Sequence, residues 1–121
     1  MADWTLKQLD RVVNSFLKEC DSKMQGVLSS RLYRLSKEGN NAGYPLTKPI
    51  RDGLLELRGR SGRKRARLFF YFGPLKTIVF VHAIFKSSPK TPVGDIETAM
   101  QRMKAIQEGR KGKINGLDYI N

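Results

Sequence analysis

Cysteine occurs once in the 121 residues, at Cys20, which rules out an internal disulfide and cannot by itself build a zinc site. Histidine also occurs once, at His82, so a two-histidine ribonuclease mechanism is excluded. Long apolar runs are missing: the longest, 68–72, is far short of the roughly 20 residues that a membrane span needs. Met1-Ala2-Asp3-Trp4 lacks the basic stretch and apolar core that mark a secretory signal, and a cytoplasmic location is expected. Walker-type phosphate loops, GxSxG and HExxH are absent, and the run Gly59-Arg60-Ser61-Gly62 reads as a hairpin turn, not a phosphate cradle. No metal ion and no cofactor are expected from these residues.

Acidic residues are scarce too. Against 23 Lys and Arg stand only 11 Asp and Glu, a formal net charge of +12. The excess concentrates in 48–67, where Lys48, Arg51, Arg58, Arg60, Arg63, Lys64, Arg65 and Arg67 face only Asp52 and Glu56. A polyanionic partner follows, and nucleic acid stands ahead of a membrane surface.

Hydrophobic spacing divides the chain into helix, helix, strands and helix. Leu6, Leu9, Val13, Phe16, Leu17 and Cys20 recur at helical intervals, and Thr5 with Gln8 forms a capping box, predicting a helix over 6–19. A second helix begins at a Ser22/Gln25 cap, carries Met24, Leu28, Leu32 and Leu35 on one stripe, and stops at Gly39-Asn40-Asn41. The short link favours an antiparallel helical hairpin with Cys20 inside it as a small apolar residue. Residues 42–53 read as a Gly- and Pro-rich loop. Strands follow over 54–58, 65–72 and 76–86, joined as an antiparallel meander. Thr91 as N-cap and Pro92 at the first helical position open a last helix, which runs to Gly109. The expected fold is α+β: an N-terminal helical hairpin, a three- to four-stranded antiparallel sheet and a C-terminal helix. A single domain would span 1–109, followed by a basic tail over 110–121.

Alternation along the second strand puts Arg65, Arg67, Phe69 and Tyr71 on one side and Ala66, Leu68, Phe70 and Phe72 on the other. If all three helices cover the second set, the first is left to meet a partner. Arginines that neutralise phosphates, interleaved with a ring that stacks on unpaired bases, are what RNA binding needs; Arg65, Arg67 and Tyr71 fit that pattern. His82 and Lys86 share a face of the third strand. His82 is the one side chain whose ordinary pKa lies near neutrality, but a lone histidine in an apolar strand is more often buried and structural.

Three motifs add a resemblance. Asp52-Gly53-Leu54-Leu55-Glu56-Leu57-Arg58 resembles the ELR signature of the phage-associated HigB-like branch of the RelE/ParE toxin superfamily. Arg67-Leu68-Phe69-Phe70-Tyr71-Phe72 is similar to that family's aromatic strand, and His82-Ala83-Ile84-Phe85-Lys86 with Lys90-Thr91-Pro92 to its closing motif. Order and spacing agree over about 6–108. The resemblance implies a RelE-like toxin of a toxin–antitoxin pair that cuts mRNA on the ribosome without a metal, neutralised by an antitoxin with a helix-turn-helix domain. It makes Arg58, Arg67 and Lys86 the catalytic set. Arg60, Arg63, Lys64, Arg65, Tyr71, His82 and Lys90 would hold RNA. The sequence departs from the family pattern at Ser87, where a second lysine is usual, and at Phe70, where a tyrosine is. A non-catalytic ParE-like inhibitor of DNA gyrase and a non-toxic nucleic-acid-binding remnant stay open beside the nuclease.

Overall fold

The computed structural model describes residues 3–86, 90–110 and 112–117, which leaves Ser87 outside the described residues. In chain order its elements are β1 (Thr5–Leu9), α1 (Val12–Glu19), α2 (Ser22–Glu38), a 3-10 turn (Gly39–Asn41), β2 (Thr47–Arg51), β3 (Leu54–Ser61), β4 (Lys64–Gly73), β5 (Thr77–Lys86), α3 (Val93–Gln107) and β6 (Ile114–Gly116). The strands form one six-stranded sheet in the order β2-β3-β4-β5-β1-β6. Only β1 and β5 run parallel; the other neighbours are antiparallel. The sheet is therefore mixed and wider than the three or four antiparallel strands expected. No helix among the described residues is long and apolar enough to cross a membrane.

The added strands come from segments whose apolar residues are sparse. The expected helix over 6–19 divides: Leu6 and Gln8 are buried on an extended stretch, and Asp10 and Arg11, at φ 47 and 58, turn the chain before α1 starts. Gln8 does not cap a helix beginning at Thr5. Its side-chain oxygen accepts from the Val13 and Asn14 backbone amides at 3.0 Å each, and its amide nitrogen donates to the Gly116 carbonyl at 2.8 Å. One buried glutamine thus joins β1, α1 and β6, satisfying donors that a helix N-terminus leaves open. The loop expected over 42–53 contains β2, whose Lys48 and Pro49 sit opposite Glu56 and Leu55 at the sheet edge. Proline tolerates that place because an edge strand has donors to spare. At α2 the cap is Asp21, accepting from the Met24 amide at 2.9 Å, not Ser22.

Both faces of the sheet are covered. Val13, Phe16 and Leu17 of α1 and Met24, Leu28, Leu32 and Leu35 of α2 pack on Leu57, Ala66, Leu68, Phe70, Ile78 and Phe80. On the other face Ala99, Met100 and Met103 of α3 cover Leu54, Phe69, Tyr71, Val79 and Val81. The expectation that all three helices share one face is corrected here: Phe69 and Tyr71 give the second face enough apolar area to need a helix of its own. A register shift in β5 sets Phe70 against Phe80 but Phe69 against His82, leaving Val81 as the extra residue. Past that bulge His82, Ile84 and Lys86 point to the α3 face, level with Phe69, Arg67 and Arg65. Gly59 lies over α2 so closely that a Cβ there would come within 2.6 Å of Leu28 Cδ2, which lets β3 settle onto the helix.

Candidate functional site

The helix α3 covers one end of its sheet face and leaves the other to cations. Arg58 of β3 sits directly opposite Arg67 of β4, and Arg60 opposite Arg65, which in turn faces Lys86 of β5. Like charges directly opposite on adjacent strands are destabilising. Their repetition on two successive rungs costs the fold stability, as expected of a surface shaped for an anion.

At the centre stands Glu56, 1% exposed. Its Oε2 lies 3.3 Å from Arg67 Nε and 3.6 Å from Arg58 Nη1, while Oε1 accepts from the Thr91 hydroxyl at 2.9 Å. Thr91 is therefore not the cap of α3; Pro92 occupies that position and the hydroxyl is given to the carboxylate. Arg67 is 2% exposed, and its Nη1 also donates to the Ala66 carbonyl at 2.9 Å. Burial, reinforced by the neighbouring Arg58, lowers the Arg67 pKa against the pull of Glu56. Lys86 is 7% exposed, and its ammonium has no hydrogen-bond partner among the described residues. Burial, then Arg67, draws the Lys86 pKa below the ordinary lysine value, opposed by Glu56. Lys48, opposite Glu56 on β2, adds a further positive charge. Four cations, Lys48, Arg58, Arg67 and Lys86, thus share one carboxylate, and among the described residues the buried Lys86 ammonium has no hydrogen-bond acceptor of its own.

Beside this centre a cleft of about 190 Å³ is lined by Arg31, Pro45, Arg58, Gly59, Arg60, Arg65 and Arg67. Arg31 reaches it from α2 and donates to the Arg58 carbonyl at 3.2 Å. A second cleft of about 390 Å³ continues from Arg65 and Lys86 to Arg63 and Lys64 at the β3–β4 turn, with Phe85, Glu19 and Asp21 along it. Arg65 lines both, so basic side chains run from one cleft to the other. Lys64 is partly engaged there, 3.2 Å from Asp21.

Of the ten residues singled out from sequence, Arg58, Arg60, Arg65, Arg67 and Lys86 gather in one place, with Arg63 and Lys64 along the second cleft. Lys90 is exposed, one residue before Thr91. Tyr71 and His82 do not join them. Tyr71 is buried under α3, which raises its phenol pKa, instead of lying on an open face. Tyr71→Ala is accordingly expected to cost about 3–5 kcal/mol of stability, read by urea denaturation. His82 stacks on Phe69 at 5.6 Å between ring centroids, with Nε2 2.8 Å from Asp95 and Nδ1 3.2 Å from Arg102 Nη1. Arg102 also donates to the Val81 carbonyl at 3.0 Å, so this trio fastens α3 to β5. Cys20 is buried as expected of an apolar thiol, its pKa pushed up to about 11 by burial, which leaves it a poor nucleophile.

Sequence reasoning missed Arg31, Tyr44 and Thr91. Arg31 is one of several basic residues on the polar side of α2, and only the crossing of α2 over Gly59 brings it to the cleft. Tyr44 sits in a segment without periodicity, and Thr91 had a local role as a cap that concealed the distant one.

The sequence profile of the family described as Phage derived protein Gp49-like (DUF891) matches residues 15–104. That stretch includes Glu56, Arg58, Arg67, Lys86 and Thr91. Among curated proteins no match to the chain is found.

Proposed function

Because the chain belongs to the Gp49-like family of phage-derived proteins, within the RelE/HigB-like toxin family, we propose that it is the toxin of a toxin–antitoxin pair and that it cleaves mRNA on the ribosome. The observation that carries the reading is the excess of cations, Lys86 without a hydrogen-bond acceptor among the described residues beside Arg67 and Arg58, around the single carboxylate of Glu56. A phosphodiester in the adjacent clefts supplies the negative charge that this cluster lacks.

Cleavage of RNA by its own 2′-hydroxyl places growing negative charge on the phosphate oxygens, and fixed cations stabilise that charge more than they stabilise the ground state. Arg58 and Arg67, held in place by Glu56, carry this load. Lys86, with its pKa lowered, releases a proton more readily than an ordinary lysine; its neutral form takes the 2′-hydroxyl proton, and the ammonium so formed returns a proton to the departing 5′ oxygen. His82 is engaged by Asp95 and Arg102 and stands apart from the cluster. Arg60, Arg63, Lys64, Arg65 and Lys90 hold message and ribosomal RNA, in the cytoplasm where ribosomes are. The neutralising partner is an antitoxin carrying a helix-turn-helix domain.

Primer extension on a defined mRNA in a purified translation system tests this. Ribosome-dependent cuts are expected, and Arg58→Ala, at a residue whose side chain keeps 20% exposure, should reduce them about 100-fold or more while the fold is retained. Intact message together with inhibited gyrase supercoiling would replace the nuclease by the ParE-like reading.

A further inference from the structure

Among the described residues three aromatic side chains are broadly exposed, Tyr33, Tyr44 and Phe85. Phe85 lies against Phe16 at 4.3 Å between centroids, and Tyr33 sits on α2 with the Lys37 ammonium 5.2 Å from its ring. Tyr44 differs in its surroundings. It is 72% exposed, and the Arg58 guanidinium carbon lies over its ring at 5.3 Å from the centroid. The next residue, Pro45, forms part of the wall of the arginine cleft.

We propose that Tyr44 is the stacking platform for one unpaired nucleobase of the strand whose phosphate is held by Arg58 and the arginine cleft. This rests on the RNA reading above and adds to it the residue that grips the base. Arg58 has two surfaces to offer. Its Nη1 lies 3.6 Å from Glu56 Oε2 at the cation cluster, and its guanidinium carbon sits over the Tyr44 ring. A guanidinium on the ring both fixes the orientation of the ring and leaves most of the aromatic surface open to solvent. A base stacked there sits one nucleotide's reach from the phosphate, so a single strand bends into the cleft with base and backbone gripped together. Every base has a flat π-face, so this contact adds affinity without choosing a sequence. A duplex cannot use it, since its bases are already stacked.

The test is fluorescence anisotropy with a short, end-labelled single-stranded RNA, over a series of salt concentrations. Tyr44→Ala is expected to bind about 5- to 100-fold more weakly, with Tyr44→Phe close to wild type. The slope of log affinity against log salt should stay unchanged, because no phosphate contact is lost. An abasic nucleotide in the strand should reduce the difference between wild type and Tyr44→Ala. Wild-type affinity in Tyr44→Ala, with Arg58→Ala still weakened, would overturn the stacking role and leave the RNA reading standing. A weaker Tyr44→Ala with a shallower salt slope would also overturn it, since the ring would then only prop Arg58. No binding of single-stranded RNA by the wild type would overturn the stacking role, and the RNA reading itself would fall only if the same preparation also left mRNA uncut on the ribosome.

Discussion

Lys86→Met is expected to be more stable than the wild type and nearly inactive. The ammonium is buried without a hydrogen-bond partner among the described residues, beside Arg67 and near Arg58. Leaving a buried charged donor unsatisfied costs about 1–3 kcal/mol or more, and methionine keeps the length and apolar stem of the side chain while removing that cost. Stability should rise by this order, read from the denaturant midpoint at unchanged slope. RNA cleavage should fall about 100-fold or more, the usual scale for losing one preorganised charge at a reacting centre. The pH dependence carries the same sign. Burial and Arg67 depress the Lys86 pKa, so between its folded value and the ordinary lysine value the unfolded chain binds a proton that the folded one does not. Stability from this group therefore rises with pH across that window, and the rise is missing in Lys86→Met. Cys20, at about 11, and the raised Tyr71 act oppositely at alkaline pH. Both are common to the two proteins, so the difference between their pH–stability curves isolates Lys86. A Lys86→Met protein less stable than the wild type would make the lysine a structural residue.

Glu56→Gln has the opposite signature. One buried carboxylate is shared by Arg67, Arg58 and the Thr91 hydroxyl, and its loss strands the buried guanidinium of Arg67. Removing one partner of a buried ion pair costs about 3–5 kcal/mol, so a large drop in Tm is expected. The variant should also recover more stability from inorganic phosphate than the wild type does, because the anion replaces the missing charge and binds only the folded state. Thermal melts in chloride and in phosphate read both effects. Unchanged stability in chloride would mean that Glu56 does not organise the cluster. The same pairing makes Arg67→Ala a poor test of catalysis, since it leaves Glu56 buried with only Arg58 and Thr91.

The cation cluster was legible because β-strand alternation is rigid. Once 65–72 is read as a strand, Arg65 and Arg67 share a face with Phe69 and Tyr71, and the structure keeps that parity. The mistake lay in what covers the face. Sequence periodicity identifies an apolar stripe on α3 but not the side of the sheet it chooses, and that choice turned Tyr71 from an expected base-stacking ring into core. The strands β1, β2 and β6 were hidden for a different reason. They are short and edge-placed or stitched by Gln8, so their stability is tertiary and leaves little periodic signal. Thr91 and Tyr44 reach the site through contacts between residues distant in sequence, with Glu56 and Arg58 respectively, which no local pattern encodes.

If Arg58, Arg67 and Lys86 promote attack of a 2′-hydroxyl on the neighbouring phosphate, the chemistry is written in the ends of the cut message. Cleavage in the purified translation system should leave a 2′,3′-cyclic phosphate upstream and a 5′-hydroxyl downstream, and a single 2′-deoxynucleotide at the mapped position should abolish that cut. Cleavage of the deoxy-substituted message at the same position, or 3′-hydroxyl ends on the natural one, would contradict this chemistry.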